Sequence, residues 1–145
     1  MATTAPTETE ELADRIIEEA INRGEFTVID EVVDSDYVLR DPAFPEAVRG
    51  PDGYKQQIQM ERSAFPDLTV RVDDRVVEGD KVVTRYTLRG THDGEFMGIA
   101  PTGNTIEVDG FIIDRFEGGK LVESDHLIDS LGLLQQLGVI TLPGA

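Results

Sequence analysis

From Leu68 onward the chain alternates apolar and polar residues with period two through four runs, 68–77, 81–91, 105–116 and 120–128. Such alternation is the signature of strands with one buried and one solvated face. Glu78-Gly79-Asp80 and Glu117-Gly118-Gly119 sit between runs where hairpin turns are needed. Ahead of residue 68 the apolar period changes to that of helices. Thr7 and Glu10 have capping-box spacing behind Pro6, and Leu12, Ala13, Ile16, Ile17, Ala20 and Ile21 then form one broad apolar face ending at Gly24. Phe26, Ile29 and Val33 suggest a second, shorter helix. Residues 36–41 read as a short strand with Tyr37, Leu39 and Asp41 on one face, broken by Pro42. After a loop with Pro45, Gly50-Pro51-Asp52 opens a helix carrying Tyr54, Ile58, Glu61 and Phe65, closed by Pro66. A glycine-rich connection, 93–103, carries Phe96, Met97 and Ile99, and an amphipathic segment, 131–137, ends the chain's pattern. Helices first and antiparallel strands afterwards predict an α+β domain with helices packed on one sheet face. The 145 residues suffice for one domain spanning 1–145, with residues 1–6 expected to be a flexible lead-in.

Alternation also assigns faces. The helix-facing side receives Leu68, Val70 and Val72; Val82, Tyr86, Leu88, Gly90 and His92; Ile106, Val108, Gly110, Ile112, Asp114 and Phe116; and Val122, Ser124, His126 and Ile128. Arg71, Arg85, Arg89, Glu107, Asp109, Arg115, Glu123 and Asp125 fall on the other side, where Phe111 and Ile113 interrupt the polar surface and suggest a subunit contact.

Five polar groups thereby land on the buried side: Asp41, His92, Asp114, Ser124 and His126. An unpartnered carboxylate or imidazole there costs on the order of several kcal/mol, so a solvated pocket between sheet and helices is expected. If Ile112 lies opposite His126, Asp114 is a diagonal neighbour. A carboxylate beside the ring would fix its tautomer and make it a proton donor near neutrality; the alternative is a core histidine held by a backbone carbonyl. Asp41 at a strand end can project into a pocket mouth, where desolvation would raise its pKa and make it a better base; otherwise it is a turn-forming aspartate before proline. Asp114 either orients His126 or pairs with an arginine. His92 reads as a loop anchor. Gly94, Gly98 and Gly103 are too scattered for a phosphate cradle, and no metal-ligand spacing or nucleophile–histidine–acid pattern occurs.

Charge and composition narrow the partners. The net charge is −16, with 29 acidic against 13 basic residues, which repels phosphate backbones and anionic lipid, so neither nucleic acid nor membrane is expected. The acids are spread along a lysine-poor chain, as in proteins adapted to concentrated salt. The absence of cysteine excludes disulfides and thiolate metal sites, and two histidines argue against a multi-histidine centre. No run reaches the roughly 18 apolar residues of a membrane span, and the N-terminus has no signal-peptide pattern, so a cytoplasmic location is expected.

The run Arg89-Gly90-Thr91-His92-Asp93-Gly94-Glu95-Phe96-Met97-Gly98-Ile99-Ala100-Pro101-Thr102-Gly103 resembles the signature of SnoaL-like polyketide cyclases, also called ester cyclases. The resemblance continues through Asp41-Pro42-Ala43, Gly50-Pro51-Asp52-Gly53, Ala64-Phe65-Pro66-Asp67-Leu68, Arg115-Phe116, Gly119-Lys120-Leu121-Val122-Glu123 and the segment from Asp129 to Gly138. It implies a cone-shaped NTF2-like α+β fold with N-terminal helices on a curved, mainly antiparallel sheet, commonly dimeric. It also implies intramolecular aldol condensation without metal, other cofactor or covalent intermediate. The family's acid–base aspartate falls at His126 and its partner histidine at Ile112, so that pair is altered here and Asp114 is the candidate replacement. Ketosteroid isomerases share the fold, and their aspartate before proline matches Asp41-Pro42; their oxyanion donors fall at Ile17 and Ile112.

The resulting expectation is a cofactor-independent cyclase or isomerase acting on a small carbonyl ligand. Asp41 is the base, His126 the acid and Asp114 the orienting group. Tyr37, Phe65, Tyr86, Leu88, Ile112 and Ser124 contact the substrate, with Phe96 and Met97 as a lid. A homodimer through the outer sheet face is expected. The alternatives are a non-catalytic binding module on the same scaffold and an epoxide-hydrolase-like enzyme using Asp41, Asp114 and an inward arginine.

Overall fold

The computed structural model describes residues 7–141 and 143; the expectation for residues 1–6 falls outside them. Helix α1, Glu8–Arg15, begins at Thr7, whose side chain accepts the Glu10 N–H while Glu10 reaches back, completing the capping box. The expected single helix then widens into a π-helical segment, Ile16–Ile21, in which Asn22 N–H bonds to the Ile17 carbonyl at 2.8 Å. The wider turn presents Ile16, Ile17 and Ala20 inward together, and all three are buried. Helix α2, Thr27–Val32, passes without a loop into β1, Val33–Arg40, so this strand starts earlier than the 36–41 pattern suggested. A two-residue strand β2, Val48–Arg49, pairs with β1 inside the segment expected to be loop; a ladder this short leaves no alternation to read. Helix α3, Gly50–Ala64, has proline in its first turn and stops before Pro66.

Strands β3 (Thr69–Glu78), β4 (Lys81–Thr91), β5 (Thr105–Glu117) and β6 (Lys120–Ile128) form an antiparallel meander, and α4, Ser130–Gln136, follows. The curved sheet has the order β2-β1-β6-β5-β4-β3. The first long strand therefore pairs with the last, and in parallel: Leu39 lies beside Ser124 and Arg40 beside Asp125. On the outer face Arg40 reinforces this pairing by bridging Glu123 (3.1 Å) and Asp125 (3.4 Å).

Two register shifts revise the face assignment. A shift between Val72 and Asp74 turns Arg75 inward, where it binds Thr84 Oγ1 at 3.1 Å and pairs with Asp14 of α1. Another between Arg115 and Phe116 buries Leu121 fully where alternation had placed Val122. The principal core lies between α1, α2 and α3 and the sheet around Ile29, Ile58, Val82 and Leu121. A second cluster joins Ala64, Phe65, Phe96, Ile106, Leu133 and Leu137 at the other end, beneath the 93–103 connection. No helix among the described residues is long and apolar enough to cross a membrane.

Candidate active site

Register brings the inward polar residues onto neighbouring ladders. Ile112 lies opposite His126, Asp114 opposite Ser124, and Thr84 opposite Ile112. Continuing the β1–β6 pairing by one step sets Asp41, just beyond the end of β1, beside His126. The Asp41 Oδ2–His126 Nδ1 distance is 2.8 Å. A carboxylate can only accept, so Nδ1 carries the proton and Nε2 is left as the acceptor. The Tyr86 hydroxyl stands in contact with Nε2, its ring stacked on the imidazole at 5.7 Å between centroids.

Tyr86 reaches His126 across Gly110, its direct partner on β5. A Cβ at Gly110 would overlap the Tyr86 hydroxyl and ring, so a glycine on this strand is what lets the phenol lie flat against its neighbour. Gly110→Ala is expected to lower stability by about 1–3 kcal/mol in urea denaturation, because the tyrosine must leave this position. An unchanged midpoint would show that Tyr86 packs elsewhere.

The electrostatics alter the expected division of roles. Burial alone would raise the Asp41 pKa; the His126 hydrogen bond, the Ala43 backbone N–H at 2.8 Å and the attraction of the imidazole outweigh it, and the pKa lies below the ordinary aspartate value. Asp41 is thus held as a carboxylate against His126, and the rise in its pKa expected from desolvation does not occur. Asp114, expected to orient His126, instead accepts the Ser124 hydroxyl at 2.6 Å, and Ser124 accepts Tyr37 Oη at 2.8 Å. The Asp114 carboxyl is pushed up to about 6 by burial, against the lowering effects of Ser124, Arg75 and His126. Burial likewise raises the Tyr86 phenol, with Glu61 and Asp41 adding to it.

These groups face an apolar cavity of about 160 Å³ between the sheet, the π-helical segment and α3. Phe65, Tyr86, Leu88, Ile112, Asp114, His126 and Asp41 line it, as do Phe96 and Met97. Tyr37 and Ser124, expected as substrate contacts, are fully buried outside this lining, and their hydrogen bonds run from Tyr37 to Ser124 to Asp114. Phe96 and Ile99 exchange backbone hydrogen bonds, and the two residues between them, Met97 (φ 50°) and Gly98 (φ 78°), form a tight turn exposing Met97 at the rim. His92 anchors this segment: its Nδ1 accepts the Thr102 N–H at 3.2 Å and its ring packs on Phe65.

Gln57 and Glu61 of α3 also line the cavity, as do Tyr54 and Ser130, and the sequence alone assigns none of them a function. Glu61 was visible there as the only charged residue in the helix's apolar series. A shallower groove of about 800 Å³ lies outside, beneath the 41–47 loop, and shares Asp41, Phe44 and His126 with the cavity. Among the described residues no group of three His, Cys, Asp or Glu side chains is placed to hold a metal ion.

Residues 11–137 match the SnoaL-like polyketide cyclase family. The chain belongs to this family. It is 27% identical over 122 residues to aklanonic acid methyl ester cyclase AcmA of Streptomyces galilaeus, spanning 83% of this chain and 84% of that protein. Among solved structures, IdmH from Streptomyces antibioticus, a candidate polyketide cyclase, is 33% identical with a TM-score of 0.79, over 92% of this chain and all of that one (100%). AclR from Streptomyces galilaeus, a candidate hydroxylase, is 30% identical with a TM-score of 0.80, over 93% and 87% of the two chains. SnoaL-like relatives thus include proteins described by different chemistries. In this SnoaL-like chain the polar groups grouped around the histidine are Asp41 and Tyr86.

Proposed function

We propose that the cavity binds a small carbonyl compound and that the Asp41–His126–Tyr86 chain moves a proton to and from it during an aldol-type ring closure. The supporting observation is this hydrogen-bonded chain, running from a carboxylate through an imidazole to a phenol, set into a largely apolar wall. Apolar surroundings strengthen a fixed carboxylate–imidazole pair and keep water from competing for the enolate. With Nδ1–H bound to Asp41 and Nε2 facing the Tyr86 hydroxyl, the phenol oxygen takes up the proton leaving an acidic C–H while its own proton passes to Nε2. The resulting imidazolium is stabilised by the Asp41 carboxylate. The enolate carbon then attacks a second carbonyl of the same molecule, and the new alkoxide is protonated. No cofactor enters this scheme.

The cavity volume suits a single ring. A larger polyketide would place its reacting end there and its remainder against Phe44, Pro45 and Ala47 of the 41–47 loop, leaving Phe111, Ile113 and Leu127 of the outer groove to a subunit contact. The reading is tested by incubating the protein in D2O with carbonyl esters, aklanonic acid methyl ester among them. Mass spectrometry should show deuterium entering the acidic C–H and the cyclised product forming. Ligand binding without exchange or product would favour the binding-module reading. An epoxide-opening mechanism lacks support, because no arginine is among the described lining residues: Arg85 and Arg89 are exposed, and Arg75 is engaged by Thr84 and Asp14.

The proposal extends to self-association through the outer sheet face. Phe111, Ile113 and Leu127 are 49%, 41% and 60% exposed there, and Phe111 and Leu127 are direct cross-strand partners. Sedimentation should give a dimer, and the Phe111→Asp, Leu127→Asp double variant a monomer. A monomeric parent protein would refute this arrangement.

A further inference from the structure

We infer that Glu61 is a second catalytic group of the cavity, donating its carboxyl proton to the substrate carbonyl oxygen from the helical wall while the histidine chain works from the sheet wall. This deepens the proposed acid–base reading and rests on it.

The argument starts from placement. Glu61 occupies the last turns of α3, on the face that carries Tyr54, Ile58 and Phe65 against the sheet. A carboxyl in that series has no packing rationale, since an apolar residue would fill the site without desolvation. Its position is fixed by Gln57, one helical turn earlier, whose Nε2 donates to Oε1 at 2.9 Å. Oε2 has no hydrogen-bond partner among the described residues, and the side chain lines the cavity. No arginine or lysine pairs with it.

The titratable groups that share the cavity with Glu61 are Asp41 beyond β1, His126 on β6, Tyr86 on β4, Asp114 on β5 and Tyr54 on its own helix. Burial raises the Glu61 pKa, and Asp41 adds to this, against the lowering effects of Gln57 and His126. With Asp41 held as a carboxylate, a second negative charge nearby is disfavoured, and the shift of Glu61 is toward its protonated form. Of the three carboxyls lining the cavity, Asp41 holds the histidine, Asp114 accepts the Ser124 hydroxyl on the sheet wall, and Glu61 stands on the helical wall.

The proton balance closes. The substrate C–H bond breaks as its proton passes to the Tyr86 oxygen, and the phenol's former proton forms the N–H bond on His126, leaving the electron pair in the enolate. The enolate carbon bonds to the carbonyl carbon, and that carbonyl's π pair moves to oxygen. Glu61 Oε2–H gives its proton to this oxygen, forming the product hydroxyl and leaving a carboxylate. The extra proton on His126 returns to Glu61 through water when product leaves, and the site is restored.

The test uses acetophenone labelled with carbon-13 at the carbonyl as a non-reacting probe, observed by NMR with the whole protein. The bound carbonyl signal should move downfield in the parent protein, reporting a donated hydrogen bond, and this shift should fade as Glu61 loses its proton at higher pH. Glu61→Gln, a permanent donor, should retain a downfield shift that no longer depends on pH. Glu61→Leu should bind the probe with the shift lost. An unchanged shift in Glu61→Leu would overturn the assignment of Glu61 while leaving the carbonyl-pocket reading intact. Failure of the parent protein to bind the ketone would overturn that reading and this inference with it.

Discussion

His126→Ala is expected to lower turnover of a carbonyl substrate by about 10²- to 10⁴-fold, the range typical of removing a general acid–base group. The fold should persist, because the imidazole is partly exposed near the end of β6 and stacks on one tyrosine, outside both main core clusters. Asp41→Asn should cause a loss of similar order. An asparagine could offer its N–H₂ to Nδ1, which would place the ring proton on Nε2 and remove the lone pair that the chemistry needs. The two variants together should lose little more than either alone, since Asp41 acts through His126. Product formation and C–H deuterium exchange are the readouts. Retention of full activity in both variants would refute the role of the pair.

The second large effect concerns stability. Asp114 titrates at about 6 in the folded protein against an ordinary 3.8. Between these values the native state holds a proton that the unfolded state has released, so this group's contribution falls as pH rises through the window and stays lower above it. Asp114→Asn cannot ionise and still offers an oxygen to Ser124. The variant should gain on the parent protein from pH 4 to pH 8, by up to about 3 kcal/mol for a shift of roughly two units. The new amide N–H₂ offsets part of this, so the trend with pH is the signal. Urea denaturation at the two pH values measures it, and a difference that does not grow would show that Asp114 is not strained by its burial. Comparing variant with parent is essential, because Asp41, Asp67, Asp73 and Glu123 are shifted the opposite way.

Much of this arrangement is legible in the sequence because a sheet obeys a strict period. Alternation along 105–116 and 120–128 puts Ile112, Asp114 and His126 on one face, and the structure pairs Ile112 with His126. Alternation carries no information about which side chain turns toward which. Asp114 looked like the histidine's partner because it was the nearest carboxylate on a neighbouring strand. Asp41 became the partner through a parallel pairing of β1 with β6, which no local pattern encodes. The inward turn of Arg75 and the burial of Leu121 followed from bulges, each a single extra residue that reverses alternation beyond it. Glu61 was visible within a helical apolar series, but a periodicity argument treats a lone charge there as noise. Its surroundings come from three other segments of the chain.

The β1–β6 pairing has a consequence for how the protein is made. Asp41 and His126 are 85 positions apart in the chain, so a ribosome must deliver nearly all of the domain before the two can meet. Until then β1 is a strand with one side open, and its neighbour in the finished sheet has not been synthesised. Such long-range closure is slow compared with the hairpins of the meander. The last strand to emerge both seals that open side and completes the proton chain. Catalysis would then begin only with the completed fold, and a chain truncated before β6 would carry an unprotected edge and no activity.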